Sequence, residues 1–161
     1  MPIGRFIAFD LVMDVDSSAA ERLPHGGVTQ GIITSFFETV RELGHGFSEH
    51  VYRRAVAIVL RTRGHKALEE VPLEVHFRGS IIGLFKADLV VDDVVLVEVK
   101  STPQLEPYSE AQLLNYLKAA GGGVGMLLNF GRTAGFKRMV SGDPANSLPL
   151  LKQEPPDPCD L

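Results

Sequence analysis

The sequence predicts an α/β fold in which a central mixed β-sheet is flanked by helices. Apolar residues recur at helical spacing in residues 28–43, apolar runs typical of strands lie between residues 71 and 101, and a helical segment separates these from another apolar run at 124–130. This order of elements is typical of a sheet with helices packed on it. The chain has 161 residues, 45% of them hydrophobic, which suits one domain with a proper core.

Two helices are predicted before the first strand. The apolar positions of the first helix are Ile32, Ile33, Phe36, Phe37, Val40 and Leu43. A glycine-containing break follows at 44–46, and Ser48 is then a candidate N-cap for a second helix that runs through Arg63 and ends at Gly64. The predicted buried stripe of the second helix is Tyr52, Ala55, Val56, Val59 and Leu60.

A meander of three strands is predicted next, at 71–77, 81–91 and 94–101. The length of the connection at Asp92 and Asp93 matters because side chains alternate between the faces of a sheet. A two-residue turn would pair Asp88 with Val97 and put Glu98 on the opposite face. A three-residue connection, or one bulge, places Asp88 across from Glu98, and we predict this odd-length connection.

A third helix is predicted at 110–118, with Ser109 as its N-cap and glycines at 121–123 as its end. Its predicted core residues are Leu113, Leu114 and Leu117. Gln112 and Tyr116 are four residues apart and therefore share a neighbouring face of the helix.

Two more strands are predicted, at 124–130 and 136–140. The strand that starts near residue 94, the third helix and the strand at 124–130 form a strand, crossover helix and strand. Such a unit predicts two neighbouring parallel strands with a right-handed connection.

The domain is assigned to residues 28–140. Residues 1–27 are interpreted as an N-terminal extension, either an edge strand, a partner contact or a start-site extension. Residues 141–161 are dense in chain breakers and lack a periodic apolar pattern, so a disordered tail outside the core is predicted.

The composition excludes several classes of protein. The net charge of -4 argues against a protein that coats nucleic acid through bulk positive charge, although basic residues cluster between His45 and Lys66. The single cysteine, Cys159, excludes an internal disulfide framework and a cysteine-based zinc site, and a reducing cytoplasm is the expected compartment. Residues 6–13 are too short to span a bilayer and are interrupted by Asp10, so no membrane association is expected.

The most informative feature is the burial of two acids and a lysine in neighbouring apolar runs. Asp88 lies on one run, and Glu98 and Lys100 lie on the next, around Val99. Burying such charges costs several kcal/mol unless they are paired or hold a metal. An ion pair between Asp88 and Lys100 alone would leave Glu98 without a partner, so we favour a metal site.

Five blocks in order along residues 28–140 resemble the GxxExxY family of the PD-(D/E)XK nuclease superfamily. The blocks are Gly46-x-x-Glu49-x-x-Tyr52, Asp88, Glu98-Val99-Lys100, 112–117 and 127–131. Their combination is far more specific than any one of them, since Glu-x-Lys alone is common. The resemblance implies a restriction-endonuclease-like core.

The resemblance also implies roles for five residues. Asp88 and Glu98 would be metal ligands, Lys100 the catalytic lysine, Glu49 the helix-borne acid and Gln112 the downstream polar partner. Alternatively, Glu49 complements the positive end of its helix dipole, and Gln112 is a surface residue.

The expected cofactor is Mg²⁺ or Mn²⁺, because a hard divalent cation prefers oxygen ligands and retains several waters. Its expected ligands are Asp88, Glu98, the main-chain carbonyl of Val99 and Glu49 through a water. Lys100 would position the attacking water and stabilise the transition state.

The predicted function is metal-dependent hydrolysis of phosphodiester bonds in nucleic acid, with DNA as the expected substrate. One alternative is a non-catalytic module that binds nucleic acid or regulates a partner and has kept the fold. Another is a structural interaction protein in which an apolar N-terminal strand forms a homodimer edge or contacts a protein partner.

Overall fold

Three helices and five strands make up the described part of the chain, residues 23–145 and residue 148 of a computed structural model. In chain order they are α1 (Gly26–Leu43), α2 (Glu49–Thr62), β1 (Ala67–Phe77), β2 (Ser80–Val91), β3 (Val95–Lys100), α3 (Pro107–Ala119), β4 (Gly123–Asn129) and β5 (Gly135–Ser141).

The strands form one mixed sheet in the order β1-β2-β3-β4-β5. The pairs β1–β2, β2–β3 and β4–β5 are antiparallel, and β3–β4 is parallel. The predicted meander of β1, β2 and β3 is therefore confirmed, as are the neighbouring parallel strands on either side of α3. All seven residues of β4 are buried, as expected for a central strand covered on both faces.

Helices cover both faces of the sheet, and each face has its own apolar cluster. On one face, Ile32 and Phe36 of α1 and Tyr52 and Leu60 of α2 pack against alternate residues of the central strands. On the other face, Leu113 and Leu117 of α3 pack against the remaining residues of the central strands. This alternation explains why strands such as β3, whose residues Val95–Val99 are all buried, contain nearly continuous apolar runs.

The first two helices follow the sequence prediction closely. Helix α1 begins at Gly26 rather than residue 28, and Ser48 is the N-cap residue of α2, although its side chain makes no capping hydrogen bond. The buried stripe of α2 contains Ala57 in place of Ala55 and Val59, which are half-buried. Gly64 follows the helix with a φ of 87°, a left-handed conformation that favours glycine.

The prediction of Ser109 as the N-cap of α3 is wrong. The helix begins at Pro107, and Glu106 is its N-cap residue. Proline is well suited to the first helical position because its fixed φ is already helical and its missing N–H would have no partner there. Ser109 lies in the first turn, where its N–H donates to the carbonyl of Glu106 at 3.0 Å. Leu114, predicted to be in the core, is only half-buried.

The two ends of the chain lie largely outside the described residues. The predictions for residues 1–22, for 146–147 and for 149–161 all fall there. Leu148, which we assigned to a tail outside the core, packs with the apolar cluster under α3 and is 5% exposed. Its N–H donates to the carbonyl of Asp93 at 3.2 Å. None of the helices within 23–145 has the length and apolar character needed to cross a bilayer.

Candidate active site

The connection between β2 and β3 has three residues, 92–94, as predicted. The paired residues are Val91 with Val95, Val90 with Leu96, and Leu89 with Val97. Asp92 and Asp93 have φ angles of 51° and 62°, a left-handed conformation that aspartate tolerates better than most residues. Asp92 also accepts a hydrogen bond from the backbone N–H of Lys66 at 2.8 Å, which holds the connection against the start of β1.

Where regular pairing of β2 and β3 ends, the side chains of Asp88 and Glu98 each accept a hydrogen bond from the backbone of the opposite strand. Continuing the register by one residue places Asp88 opposite Glu98. There, Oδ2 of Asp88 accepts the backbone N–H of Val99 at 2.7 Å, and Oε1 of Glu98 accepts the backbone N–H of Asp88 at 3.3 Å. The two carboxylates therefore lie together at the point where the strands separate.

The alternation of side chains between the two faces of the sheet is broken in β2 at Asp88. Glu69 pairs with Leu89 and Val71 with Ala87, while Asp88 itself has no partner on β1. Leu89 belongs to the cluster under α1 and α2, whereas Ala87, two residues away, belongs to the cluster under α3. Regular alternation would put both on one face, so the alternation of β2 is interrupted at Asp88, where Glu70 on the neighbouring strand has a φ of 52°.

Lys100 and Gln112 meet on the α3 face of the sheet. Lys100 shares a face with Glu98 because the two are two residues apart on β3. Its Nζ donates to Oε1 of Gln112 at 3.3 Å. The structure therefore brings together four of the five predicted site residues: Asp88, Glu98, Lys100 and Gln112.

Glu98 carries the strongest electrostatic signal of the site. Its side chain is buried, with 6% of the residue exposed. Burial and, secondly, the negative charge of Asp88 raise the pKa of Glu98 to about 8, while the nearby Lys100 opposes the shift only weakly. The amine of Lys100 has Gln112 as its hydrogen-bond partner and only a small effect on Glu98, so the two acids lack a compensating positive charge.

This donor set fits a hard divalent cation. Carboxylate oxygens are its preferred ligands, and a cation between Asp88 and Glu98 would offset the burial and the repulsion by Asp88 that together raise the pKa of Glu98. Within residues 23–145 and 148, no three side chains of His, Cys, Asp or Glu form a metal-binding group. Two carboxylates leave room for main-chain oxygen, waters and substrate, which is typical of Mg²⁺.

Glu49 is not brought into contact with the other site residues. It is the first residue of α2, and its exposed side chain makes no hydrogen bond or ion pair with the described part of the chain. The start of α2 nevertheless lies beside the segment after Lys100, because the Ser101 hydroxyl donates to the carbonyl of Phe47 at 3.0 Å. The role of Glu49 stays a prediction.

Tyr52 has a structural position. Its ring is fully buried and stacks on Phe130, with ring centroids 4.6 Å apart. Its hydroxyl donates to the carbonyl of Gly44 at 2.6 Å and accepts the N–H of Phe47 at 3.3 Å. The tyrosine of the Gly-x-x-Glu-x-x-Tyr block therefore shapes the loop that contacts Ser101.

Asn129 is a residue whose importance the sequence did not reveal. It is fully buried at the end of β4, beside Lys100 in the register of the parallel pair. Its amide nitrogen donates to the carbonyls of Thr102 and Thr133, and its Oδ1 accepts the N–H groups of Thr102 and Gly131. Asn129 thus fastens the segment after the lysine to the segment after β4. The sequence signal that could have indicated this role is a polar residue at the end of an otherwise apolar strand.

Tyr116 is a second neighbour of the site. Its ring stacks on Phe85 of β2, with centroids 3.8 Å apart. Burial and the charge of Glu98 raise its pKa, and smaller contributions come from Tyr108 and Asp88, while Gln112 opposes them. The spacing of four residues predicted that Tyr116 shares a helix face with Gln112. Its contact with Phe85 of β2 is a tertiary contact that the spacing does not predict.

The basic cluster between His45 and Lys66 is largely neutralised. Arg53 pairs with Glu69 and Glu70, Arg61 with Glu69, Arg63 with Glu38, and Lys66 with Asp93. These pairs leave little free positive charge there for binding phosphates.

The comparison with protein families agrees with this geometry. A family model described as the PD-(D/E)XK nuclease superfamily matches residues 27–139, and the chain belongs to that superfamily. The predicted restriction-endonuclease-like fold, a mixed sheet flanked by helices, is confirmed. The superfamily is one of nuclease-like proteins that typically use divalent metals, and the class points to nucleic acid as the partner.

Among solved structures, the chain resembles one titled "Crystal structure of SSO0001". The two share 15% sequence identity with a TM-score of 0.45, and the alignment covers 79% of this chain and 66% of that one. The search among curated proteins found no match.

Proposed function

We propose that the protein is a member of the GxxExxY group and a divalent-metal-dependent nuclease that hydrolyses phosphodiester bonds in DNA. The observation that supports this most is the meeting of Asp88 and Glu98 where β2 and β3 separate, with Lys100 on the same face as Glu98. An apolar core gains nothing from two adjacent acids unless a cation joins them.

Mg²⁺ or Mn²⁺ would be held by Asp88, Glu98 and the main-chain carbonyl of Val99, with Glu49 acting through a water. When bound, the cation supplies positive charge against the scissile phosphate and makes a nearby water more acidic. The loop held by Tyr52 supports a role for Glu49, because it fixes the start of α2 beside Ser101.

Lys100 would place its ammonium against the scissile phosphate and orient the attacking water. Gln112 supports that role, since its Oε1 accepts from Nζ of Lys100 at 3.3 Å and limits where the flexible side chain can point. Charge placed in advance where it develops in the transition state is usually the largest contribution to catalysis.

Metal-dependent cleavage tests the proposal. Fluorescent DNA and RNA, each single- and double-stranded, are incubated with the purified chain and Mg²⁺, Mn²⁺ or EDTA. Cleavage of DNA is expected with the metals and not with EDTA. Lys100→Ala should lower the rate by about 100-fold or more, whereas Lys118→Ala, an exposed lysine in the last turn of α3, should cleave as the wild type does.

The rival function is a nucleic-acid-binding module that has kept the fold without activity. Tight DNA binding without cleavage under any metal would favour it. Cleavage that persists in Lys100→Ala at the wild-type rate would reject the assignment of Lys100 and would indicate a contaminating nuclease.

A further inference from the structure

Helix α3 carries a row of three side chains along the site. Tyr108, Gln112 and Tyr116 follow at intervals of four residues, so they lie along one stripe of the helix. Gln112, in the middle, contacts Lys100 through its amide oxygen at 3.3 Å. The two tyrosines therefore lie one turn to either side of the contact with the lysine.

The two rings have different surroundings. Tyr116 is engaged with Phe85 in a stacked pair and closes the site toward β2. Tyr108 is 74% exposed, the largest exposed fraction among the large apolar and aromatic side chains of the described residues. Its side chain makes no ring contact and no hydrogen bond with these residues, and its interaction with them is the small electrostatic effect of its phenol on Tyr116. A free aromatic ring thus stands one helical turn from the group that holds Lys100.

Charge alone gives this protein little affinity for a phosphate backbone. The net charge is -4, and the largest cluster of basic residues is tied up in ion pairs. Nonspecific binding of nucleic acid depends on phosphate contacts and weakens when few free cations are present. Stacking of bases on aromatic rings is the other general source of affinity, and it requires unpaired bases.

The depth of the site also favours a flexible strand. Glu98 is 6% exposed and lies on the face that α3 covers. A single strand can bend its backbone toward a recessed carboxylate, whereas a duplex is stiff and costs energy to bend. A strand led to Asp88 and Lys100 past the start of α3 would present its bases to Tyr108.

We infer that the substrate is single-stranded DNA, or an unpaired end of it, and that Tyr108 stacks a base beside the phosphate that Lys100 contacts. This inference rests on the proposed nuclease function and adds a class of substrate to it. Tyr108 is a binding residue in this arrangement and takes no part in the chemical step.

Fluorescence anisotropy of a labelled oligonucleotide of about 15 nucleotides, single-stranded or in a duplex, tests the inference. Ca²⁺ replaces Mg²⁺ to fill the site, and a gel checks that the DNA stays intact. The wild-type chain should bind the single strand more tightly than the duplex. Tyr108→Ala should weaken single-strand binding by about 5- to 100-fold, and Tyr108→Phe, which keeps the ring, by about 2-fold at most.

Phe77→Ala provides the matched control. Phe77 is also an exposed aromatic residue, at 57%, but its partner Ser80 is eight residues along β2 from Asp88, about 26 Å of strand. The affinity of Phe77→Ala for the single strand should match that of the wild type. Equal losses in both alanine variants, an unchanged affinity in Tyr108→Ala, or a preference for duplex would each overturn the inference.

The cleavage assay and the binding assay separate a failure of the stacking role from a failure of the proposed nuclease function. Cleavage of DNA by a chain whose binding does not depend on Tyr108 would reject the stacking role and leave the nuclease. Binding of single strands that depends on Tyr108, without cleavage under any metal, would leave the stacking role and reject the nuclease.

Discussion

Glu98 and Asp88 illustrate how two ordinary residues acquire unusual properties at one place in a fold. On an exposed surface both would be ionised at neutral pH. Here Glu98 lies in the apolar layer under α3, with Asp88 beside it, and burial and then the charge of Asp88 raise its pKa to about 8. The protonated form of Glu98 is therefore favoured in the folded protein without metal.

This shift predicts a pH dependence of stability. The folded pKa of about 8 lies above the ordinary 4.5, so the folded state binds the proton more tightly than the unfolded state does. The resulting stabilisation is complete below pH 4.5 and is lost as the pH rises to about 8. Between pH 5 and 8.5, the free energy of unfolding in EDTA should fall more for the wild type than for Glu98→Gln, by an amount on the order of a few kcal/mol, and the melting temperature should fall with it.

Saturating Mg²⁺ should remove this difference at high pH, because the cation binds the ionised pair. The comparison with Glu98→Gln isolates the contribution of Glu98 from that of every other titratable group, because the variant keeps all of them. Identical pH profiles of the wild type and Glu98→Gln in EDTA would show that the pair is not strained.

Asn129 predicts a stability effect at the same scale. In Asn129→Leu, four hydrogen bonds are lost and the partly buried N–H and C=O groups of Thr102 lose their side-chain partner. A loss of about 2 to 5 kcal/mol in the free energy of unfolding is expected. Urea denaturation measures it, with Asn115→Leu, an exposed asparagine of α3, as the control. A loss below about 1 kcal/mol would contradict the role of Asn129.

At the scale of elements, the close approach of two connections determines where the lysine lies. The segment after β3 and the segment after β4 meet at Gly131, where a Cβ atom would lie 1.5 Å from the carbonyl oxygen of Thr102. Only glycine fits there without separating the two segments. The position of Lys100 therefore depends on a residue that has no side chain.

Gly131→Ala should accordingly destabilise the fold by about 2 kcal/mol or more and lower any cleavage activity of the chain that remains folded. Gly135→Ala is the matched control, because nothing lies within 4 Å of the Cβ position there. Urea denaturation and the cleavage assay measure the two effects. Equal stability of the two variants would contradict the packing described.

Much of the element order could be predicted because local signals agreed with the fold. Helical periodicity gave α1 and α2, and alternation in the strands, combined with the need to bring Asp88 and Glu98 together, gave the three-residue connection. The start of α3 was mispredicted because serine and proline signals compete at neighbouring positions, and the fixed φ of Pro107 prevailed over the capping tendency of Ser109.

At the scale of the whole molecule, the unpredicted features are those that depend on contacts distant in sequence. The interruption of pairing at Asp88 lies between the pairs Glu69–Leu89 and Val71–Ala87, beside Glu70 of β1 with its φ of 52°, and strand periodicity cannot reveal it. The burial of Leu148 depends on a backbone contact with Asp93, 55 residues earlier. A tail rich in chain breakers gives no hint that one leucine returns to the core.

The two sides of the sheet contribute differently to the site. Helix α3 covers the face that carries Glu98 and Lys100, and it contributes Gln112 and Tyr116. Helix α2 lies on the other face, and it is Phe47, two residues before the helix, whose carbonyl accepts the hydrogen bond from Ser101 in the segment after Lys100. Because α3 covers the face that carries Lys100, Gln112 contacts the lysine directly. Glu49, at the start of α2, makes no such contact, and its role as a ligand stays a prediction.

The proposed nuclease activity requires that Asp88 and Glu98 together hold a divalent cation. Isothermal titration of the metal-free chain with Mn²⁺ tests it most directly, with Asp88→Asn and Glu98→Gln as variants that keep the shape of each side chain and Lys118→Ala as the control. Saturable uptake is expected for the wild type and the control, with a loss of at least about 10-fold in affinity in each of the two site variants. No uptake by the wild type, or equal uptake by all four proteins, would contradict it.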